Sequence, residues 1–252
     1  MDYTVAAVDE AIKLLFLVAQ EPGLGLTELS KRSANTKART FRLLTTLEQR
    51  NLVERRGDAA VYYLGYKALH LGAAAQTQIE LLQCVKEPVE RLGRMFNETV
   101  AVRVRDGLET VCVAHAESSQ SLRVHGEVFR RHSLYAGASS KVLLAFAPAE
   151  IVDAVLAMER RRFTPTTPVA KGALTQQIRQ VREQGYAVSI GERAADTAAI
   201  AVPIRNATAA VIAALSISTP ASRMTPERVQ AFLKALTAQA LEASQRLGHV
   251  AA

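Results

Sequence analysis

The residues that most constrain the fold are 26–64, because they follow one another in the pattern of a short helix, a tight turn, a basic helix and a strand hairpin. Thr27 is a candidate N-cap for the short helix, which residues 33–35 interrupt. Asn35 or Thr36 can cap the second helix. The positions that this helix buries recur at intervals of three and four residues, as one face of an α-helix requires: Thr40, Leu43, Leu44 and Leu47.

Two short strands, residues 52–56 and 60–64, follow around a polar turn at residues 57–58. Helix, turn, basic helix and hairpin together describe a winged helix-turn-helix, whose second helix enters the DNA major groove with its N-terminus first. The helical wheel places one set of residues on the outer face of that helix, and the hairpin, or wing, adds two arginines. The candidate DNA-binding residues are therefore Thr36, Lys37, Ala38, Arg39, Phe41, Arg42, Thr45, Arg55 and Arg56.

The charge of this stretch favours DNA as its partner. Residues 23–67 contain nine Lys or Arg and four Asp or Glu, a net charge of +5, whereas all 252 residues together carry +7. A basic helix face beside a basic wing is the electrostatic footprint of nucleic-acid binding. The alternative is a helix pair and a hairpin that bind nothing, and the concentrated charge argues against it.

The pattern along the chain predicts three parts. Residues 1–75 form the winged helix-turn-helix domain. It begins with a helix over residues 5–20 that has one broad buried face, and this helix could pack beneath the helix-turn-helix as its third helix or extend a dimer interface. Residues 76–97 form a linker helix, which Pro88 should kink or divide into two helices. Residues 98–252 form a second domain.

The second domain mixes strands with helices, which indicates an α+β fold with a mostly antiparallel sheet. Alternating or apolar runs predict strands at residues 99–105, 110–115, 121–124, 186–190, 198–204 and 209–218. Helical periodicity predicts helices at residues 139–146, 149–158, 174–184 and 226–247.

Composition excludes several classes of protein. Hydrophobic residues make up 49% of the chain and charged residues 22%, which is typical of a folded protein with a core. No apolar run approaches the roughly 18–20 residues that span a bilayer, and the first residues lack the basic segment of a secretory signal. The two cysteines, Cys84 and Cys112, are too few and too far apart for a disulfide framework or a zinc site. We therefore expect a cytoplasmic protein without metal, cofactor or membrane partner.

An enzyme is a weaker interpretation. Ser139 or Ser140 beside Lys141 could suggest a small-molecule hydrolase, but adjacent helical residues point about 100° apart and neither serine has an obvious base. The histidines show no spacing typical of metal ligands. We assign no catalytic residue. A DNA-binding protein that senses no ligand is a further alternative, although it leaves the second domain without a role.

A ligand site is expected where residues 137–140 precede a helix, because the first backbone N–H groups of a helix have no intrahelical acceptor and favour an anion such as a carboxylate. Ser216 and Ser218 alternate with apolar residues on one strand, so both hydroxyls share a face, which could line that site or meet solvent. Arg103, Arg105 and Arg123 lie on expected strands, and the sequence leaves open which face they occupy.

A longer pattern at residues 185–206 combines a small residue, Ser189, Glu192, the small-aliphatic-small triplet 199–201, an aliphatic residue and an Asn at fixed spacing. Residues 135–141 and 215–228 add further matches in order. Over nearly its full length the chain resembles the IclR family of bacterial transcription regulators. Arg205 departs from the pattern, which has an aromatic residue or His at that position.

The resemblance implies a GAF-like C-terminal domain that binds a small effector, usually a carboxylate or an aromatic metabolite. It also implies double-stranded operator DNA as partner and self-association as a dimer or a dimer of dimers. Two positions differ from the usual residues: Ser189 stands where many relatives have Asp, and residues 34–35 are Ala-Asn where the family usually has Gly-Leu. The effector-binding positions carry over to Ala138, Ser139, Ser189, Thr197, Ala199, Ser216 and Ser218.

Overall fold

The computed structural model describes residues 4–78, 80–126 and 128–250, and the chain divides into two compact units, residues 1–79 and 80–252. The first unit combines helices with a small antiparallel sheet whose strand order is β1-β3-β2. Its elements in chain order are α1 (Ala6–Gln20), β1 (Leu24–Gly25), α2 (Leu26–Arg32), α3 (Lys37–Gln49), β2 (Val53–Arg56), β3 (Val61–Leu64) and α4 (Tyr66–Gln78).

One apolar cluster holds the first unit together. Leu14 and Val18 of α1 pack with Leu29 of α2, with Leu44 and Leu47 of α3, and with the strand residues Val53 and Tyr62. Thr40 and Leu44 are fully buried, and Leu47 is nearly so, while Leu43 is half-buried. The predicted buried face of the basic helix is therefore confirmed. Strand β1 was not predicted, because a strand of two residues has no alternation to detect.

The turn between α2 and α3 differs in detail from the prediction. Helix α2 begins at Leu26 after Gly25, so Thr27 is not its N-cap. Thr36 caps α3, since its hydroxyl accepts a hydrogen bond from the backbone N–H of Arg39 at 3.3 Å. Asn35 instead donates its side-chain amide to Glu10 at 2.7 Å. Ala34 has a φ of 53°, a left-handed conformation that favours Gly, the residue that the resemblance led us to expect there.

Helix α1 buries only part of its apolar surface. The side chains of Leu14 and Val18 are its buried residues. Four other apolar residues of the helix are 47–64% exposed in the first unit: Val5, Val8, Ile12 and Phe16. Helix α1 thus packs with α2 and α3, as one of the two alternatives expected. Apolar spacing alone does not distinguish a core face from a face that another molecule could cover, and the dimer interface stays a prediction.

The second unit is an α+β domain built on a six-stranded sheet, with strand order β6-β5-β4-β9-β8-β7 and antiparallel pairing throughout. The predicted fold class is confirmed. Its elements are α5 (Glu80–Phe96), β4 (Thr99–Asp106), β5 (Glu109–Ala116), β6 (Arg131–Ser133), α6 (Ala138–Ala145), α7 (Ala149–Ala157), α8 (Lys171–Gln184), β7 (Ala187–Ile190), β8 (Thr197–Arg205), β9 (Val211–Pro220) and α9 (Pro226–Arg246).

Helices cover both faces of this sheet. Along β8 and β9, Ile200 and Leu215 join a cluster with α5 and α9, while their neighbours Ala201 and Ala214 join a cluster with α6 and α8. Because successive strand residues point to opposite faces, the two clusters lie on opposite sides of the sheet. The helix expected as a linker corresponds mostly to α5, which packs its apolar face into the first of these clusters.

Two features of the second unit differ from the predictions. Pro88 lies inside α5, so no second helix begins there, and the kink stays a prediction. Val85 and Val89 are buried beside Pro88, and this packing offsets the hydrogen bond that proline cannot donate. Residues 121–124 form no strand. That segment is held through side chains instead, for example by the Thr99 hydroxyl, which donates to the carbonyl oxygen of Val124 at 2.5 Å.

Candidate functional site

The candidate DNA-binding residues of α3 lie on the side of the helix opposite its buried residues. Lys37, Ala38, Arg39, Phe41 and Arg42 are exposed, as is the cap residue Thr36, and Thr45 is half-buried. The core of the first unit therefore holds α3 by one face only. The opposite face is available to a macromolecular partner.

The beginning of α3 carries charges that oppose its dipole. No acidic residue lies in its first turn, where Lys37 and Arg39 stand instead. Positive charge at a helix N-terminus is unfavourable, by about 0.3–1 kcal/mol for each exposed charge. An anion such as a DNA phosphate would remove this conflict, because it would satisfy both the cations and the backbone N–H groups.

The two arginines of the wing have different surroundings. Arg55 and Arg56 are both exposed on β2. Arg56 forms an ion pair with Glu54 and lies over the ring of Tyr63, 4.6 Å from its centroid. Arg56 is thus held against the wing, and Glu54 offsets part of its charge.

The second unit contains a cavity of about 380 Å³ between the sheet and the beginning of α6. This volume lies toward the small end of the range for ligand sites in proteins, roughly 300–1,000 Å³. The structure brings all seven predicted effector-binding residues to its lining: Ala138, Ser139, Ser189, Thr197, Ala199, Ser216 and Ser218.

The beginning of α6 forms one wall of the cavity. Gly137 precedes the helix with a φ of 98°, a conformation that side chains rarely adopt. Its own N–H donates to Glu192 Oε2 at 2.9 Å. The next three backbone N–H groups, of residues 138–140, have no acceptor among the described residues. They are therefore free to bind an anion.

Lys141 does not activate either serine. Its Nζ forms an ion pair with Glu192 Oε1 and donates to the carbonyl oxygen of Val188 at 2.8 Å. Both side chains of the ion pair are buried. The amine is thus held by groups other than Ser139 and Ser140, and the arrangement offers no base for a serine nucleophile.

Four arginines that were not assigned to the site also line the cavity, among them Arg103 and Arg193. Arg103 is 8% exposed and donates to Thr110 Oγ1 at 3.3 Å and to the carbonyl oxygen of Arg130 at 3.0 Å. Arg193 packs its aliphatic stem against Gly137 and places its guanidinium 4.9 Å from the ring centroid of Phe163. Its Nη1 is buried without a hydrogen-bond partner among the described residues.

Burial weakens the proton affinity of these groups without removing their charge. Desolvation, followed by repulsion from Arg103 and Arg130, lowers the pKa of Arg193 to about 10. The pKa of Arg103 is lowered mainly by desolvation. Each of these guanidinium groups is therefore cationic at neutral pH.

His132 lines the same part of the cavity and is neutral. Burial and the nearby charges of Arg103, Arg193 and Arg130 lower its pKa to about 2. Its Nε2 lies 3.4 Å from Arg103 Nη2 and, in the neutral ring, can accept a hydrogen bond from it.

Sequence reasoning could not assign these arginines. Both Val102 and Arg103 of β4 are buried, so the strand shows no contrast between an inner and an outer face. Arg123 also lines the cavity, where it forms an ion pair with Glu117, whereas Arg105 is exposed. Arg193 lies in the loop after β7, where no periodicity exists.

Metal-ligand clusters and membrane-spanning helices are both absent from the described residues. Within residues 4–78, 80–126 and 128–250, no three His, Cys, Asp or Glu side chains come together as metal ligands do. None of the helices in those ranges combines the length and the apolar character that crossing a bilayer requires.

Comparison with known proteins agrees with both units. Residues 7–57 match the family model of the IclR helix-turn-helix domain, and residues 73–245 match that of the bacterial transcriptional regulator IclR C-terminal domain. This chain belongs to the IclR family. As a family member it is a transcriptional regulator with a DNA-binding helix-turn-helix domain, and it is not an enzyme.

Individual IclR-family proteins align over nearly the whole chain. The transcriptional regulator KdgR of Escherichia coli is 32% identical over 247 residues, which cover 98% of this chain and 94% of KdgR. The crystal structure of an IclR-family regulator from Silicibacter sp. is 31% identical, with a TM-score of 0.86 and 98% of each chain covered. An IclR homologue from Microbacterium hydrocarbonoxydans, solved with 4-hydroxybenzoate, shares the fold at 22% identity and a TM-score of 0.85, with 96% of this chain and 98% of the homologue covered.

The neutral state of His132 predicts a specific pH dependence of stability. Folding lowers its pKa from 6.5 to about 2, so below pH 6.5 the unfolded chain binds a proton that the native protein does not. The contribution of His132 to the unfolding free energy should therefore fall by up to about 2 kcal/mol between pH 7 and pH 5. His132→Gln keeps an acceptor for Arg103 and removes the titration, so its unfolding free energy should fall less. Urea unfolding of both proteins at the two pH values measures this, and equal losses would contradict it.

Proposed function

We propose that this IclR-family regulator binds operator DNA through α3 and the wing, and that a small organic acid in the cavity of the second unit controls that binding. The observation that carries the proposal is the cavity itself. It combines three free backbone N–H groups at the start of α6 with the guanidinium groups of Arg103, which is buried, and of Arg193, which is half-buried. Among the described residues, no Asp or Glu side chain lines it.

Such a site favours an anion over a neutral or cationic ligand. Hydrogen bonds from charged or helix-terminal donors to a carboxylate are shorter and stronger than those between neutral groups. They are also less screened inside a cavity than at the surface. The homologue from Microbacterium hydrocarbonoxydans, solved with the carboxylate 4-hydroxybenzoate, is consistent with this ligand class.

The DNA-binding half of the proposal rests on α3. Its exposed face and its cationic first turn fit entry into the major groove with the N-terminus first, where Arg42 can reach a base edge or a phosphate. Arg55 and Arg56 of the wing are placed to meet phosphates, which set orientation more than sequence preference.

The protein also acts as a dimer or a dimer of dimers in this proposal. The exposed apolar residues of α1 follow each other at intervals of three and four residues, so they form one stripe along the helix: Val5, Val8, Ile12 and Phe16. A stripe of this kind is unfavourable in water and typical of a face that a second protein chain covers.

The first test concerns Arg42. Arg42→Ala should weaken binding to an operator selected from a random DNA library by roughly 1–3 kcal/mol if the side chain contacts a base. Fluorescence anisotropy at fixed salt measures the loss. Arg50→Ala is the matched control, because Arg50 caps the opposite end of α3.

The two arginines of the wing are tested by the same measurement, repeated at several salt concentrations. The double variant Arg55→Ala, Arg56→Ala should weaken binding to all DNA sequences about equally and reduce the salt slope by roughly one to two units.

Each of the two predictions can be contradicted. Unchanged affinity in Arg42→Ala would remove that residue from the interface. A changed sequence preference with an unaltered salt slope would mean that the wing contacts bases.

Self-association is tested on α1. Ile12→Asp should raise the dissociation constant of the dimer at least about tenfold, because it places a charge in the apolar stripe, and sedimentation equilibrium measures this. Leu241→Asp, which changes an exposed apolar side chain of α9, should leave the dimer intact. Equal dissociation of wild type and Ile12→Asp would exclude this face as the interface.

Ser189 tests the anion-binding half of the proposal. Ser189→Asp places a negative charge in the lining and should weaken binding of the best carboxylate found in a thermal-shift screen about tenfold. Ser189→Asn is the matched neutral control and should retain most of the affinity. Calorimetry that gives equal affinities for all three proteins would show that residue 189 does not face the ligand. A cationic best ligand would overturn the anion site.

A further inference from the structure

We infer that the effector carries two anionic groups, as a short dicarboxylic acid or a phosphorylated carboxylic acid does. This inference rests on the proposed function, in which a small organic acid occupies the cavity, and it specifies the charge of that acid. The fixed positive charges that line the cavity outnumber the negative charges that could offset them.

Arg103 supplies the first uncompensated charge. It is 8% exposed, and the hydrogen-bond acceptors around it are neutral: the Thr110 hydroxyl, the Arg130 carbonyl oxygen and the ring of His132. Within the described residues it forms no ion pair with a carboxylate. A buried cation without an opposite charge is unfavourable, because solvation by water is lost and only dipoles replace it.

Arg193 supplies the second uncompensated positive charge. The described residues offer it no carboxylate either, and its Nη1 is buried without any acceptor. Its stem lies against Gly137, so its position is next to the free N–H groups of residues 138–140. A carboxylate near the start of α6 would therefore contact both the helix N-terminus and a guanidinium group.

The acid nearest to this wall cannot offset either charge. Glu192 uses Oε1 for Lys141 and Oε2 for the N–H of Gly137, so both of its oxygens are already bonded. Two further arginines line the cavity and are not counted: Arg123 is offset by Glu117, and Arg130 is exposed, so water screens its charge. His132 adds no charge, because it is neutral. A ligand with one negative charge would thus leave one of these two guanidinium groups uncompensated.

The rest of the lining indicates a small and polar dianion. Seven of the lining residues carry a hydroxyl group, among them Ser139, Ser189, Ser216 and Ser218. The volume of about 380 Å³ leaves little space for a nucleotide. Hydroxylated short-chain acids are therefore suitable probes.

The experiment compares acids that differ by one charge and little in shape. Malate and succinate are titrated into the full-length protein at constant ionic strength, each beside its half-amide, with calorimetry as the readout. The best dianion should bind at least about tenfold more tightly than its singly charged partner. In Arg193→Gln this ratio should fall to about threefold or less, and Arg193→Lys should restore most of it.

Arg161→Gln is the matched control, because Arg161 lies over the same Phe163 ring, 5.8 Å from its centroid, and does not line the cavity. It should keep the wild-type ratio. Arg103→Gln is expected to act like Arg193→Gln; if this buried substitution prevents folding, Arg193→Gln alone decides.

The possible failures are distinct. Equal binding of dianions and their singly charged partners would overturn the inference and leave the proposed organic-acid site intact. A preference for dianions that is unchanged in Arg193→Gln and in every folded Arg103→Gln sample would also overturn it. Absence of binding by every acid of either charge would overturn both the inference and the proposed effector class.

Discussion

The cavity of the second unit depends on one buried ion pair, between Lys141 of α6 and Glu192 of the loop that follows β7. Replacing such a pair by apolar residues is often neutral or stabilising, so its value lies in where it places its neighbours. Glu192 also accepts the N–H of Gly137, and Lys141 also donates to Val188. The pair therefore fixes the start of α6 and the base of the loop that carries Arg193.

The same loop is held from its other side by threonines. Thr164 donates to the carbonyl oxygen of Gly191 at 2.6 Å, and Thr167 donates to that of Glu192 at 2.8 Å. Hydrogen bonds thus position both the acid of the ion pair and the arginine that follows it. A site built in this way is preorganised, and less of the binding free energy is lost in ordering the side chains that contact a ligand.

The sequence alone predicted those parts of the fold and of the site that follow from local rules. The wheel of α3 gave its buried and exposed faces, and the spaced pattern from Gly185 to Asn206 indicated the family and the residues that line the cavity. It failed where the outcome depends on distant packing. Arg103 could not be placed because both faces of β4 are covered, and Pro88 is tolerated because the core surrounds it. For α1 the sequence left open whether the apolar face packs in the domain core or against a second chain, since apolar periodicity indicates burial without identifying the partner.

The cationic lining of the cavity has a consequence for the regulator inside a cell. A site that attracts one organic anion by charge also attracts the abundant inorganic ones, chloride and phosphate among them, in proportion to their concentrations. Under the proposed function, an organic acid would have to displace these competitors before it could act on the regulator. The concentration of acid that changes DNA binding would therefore rise with the content of other anions around the protein, so that the same metabolite level would have different effects in cells of different salt content.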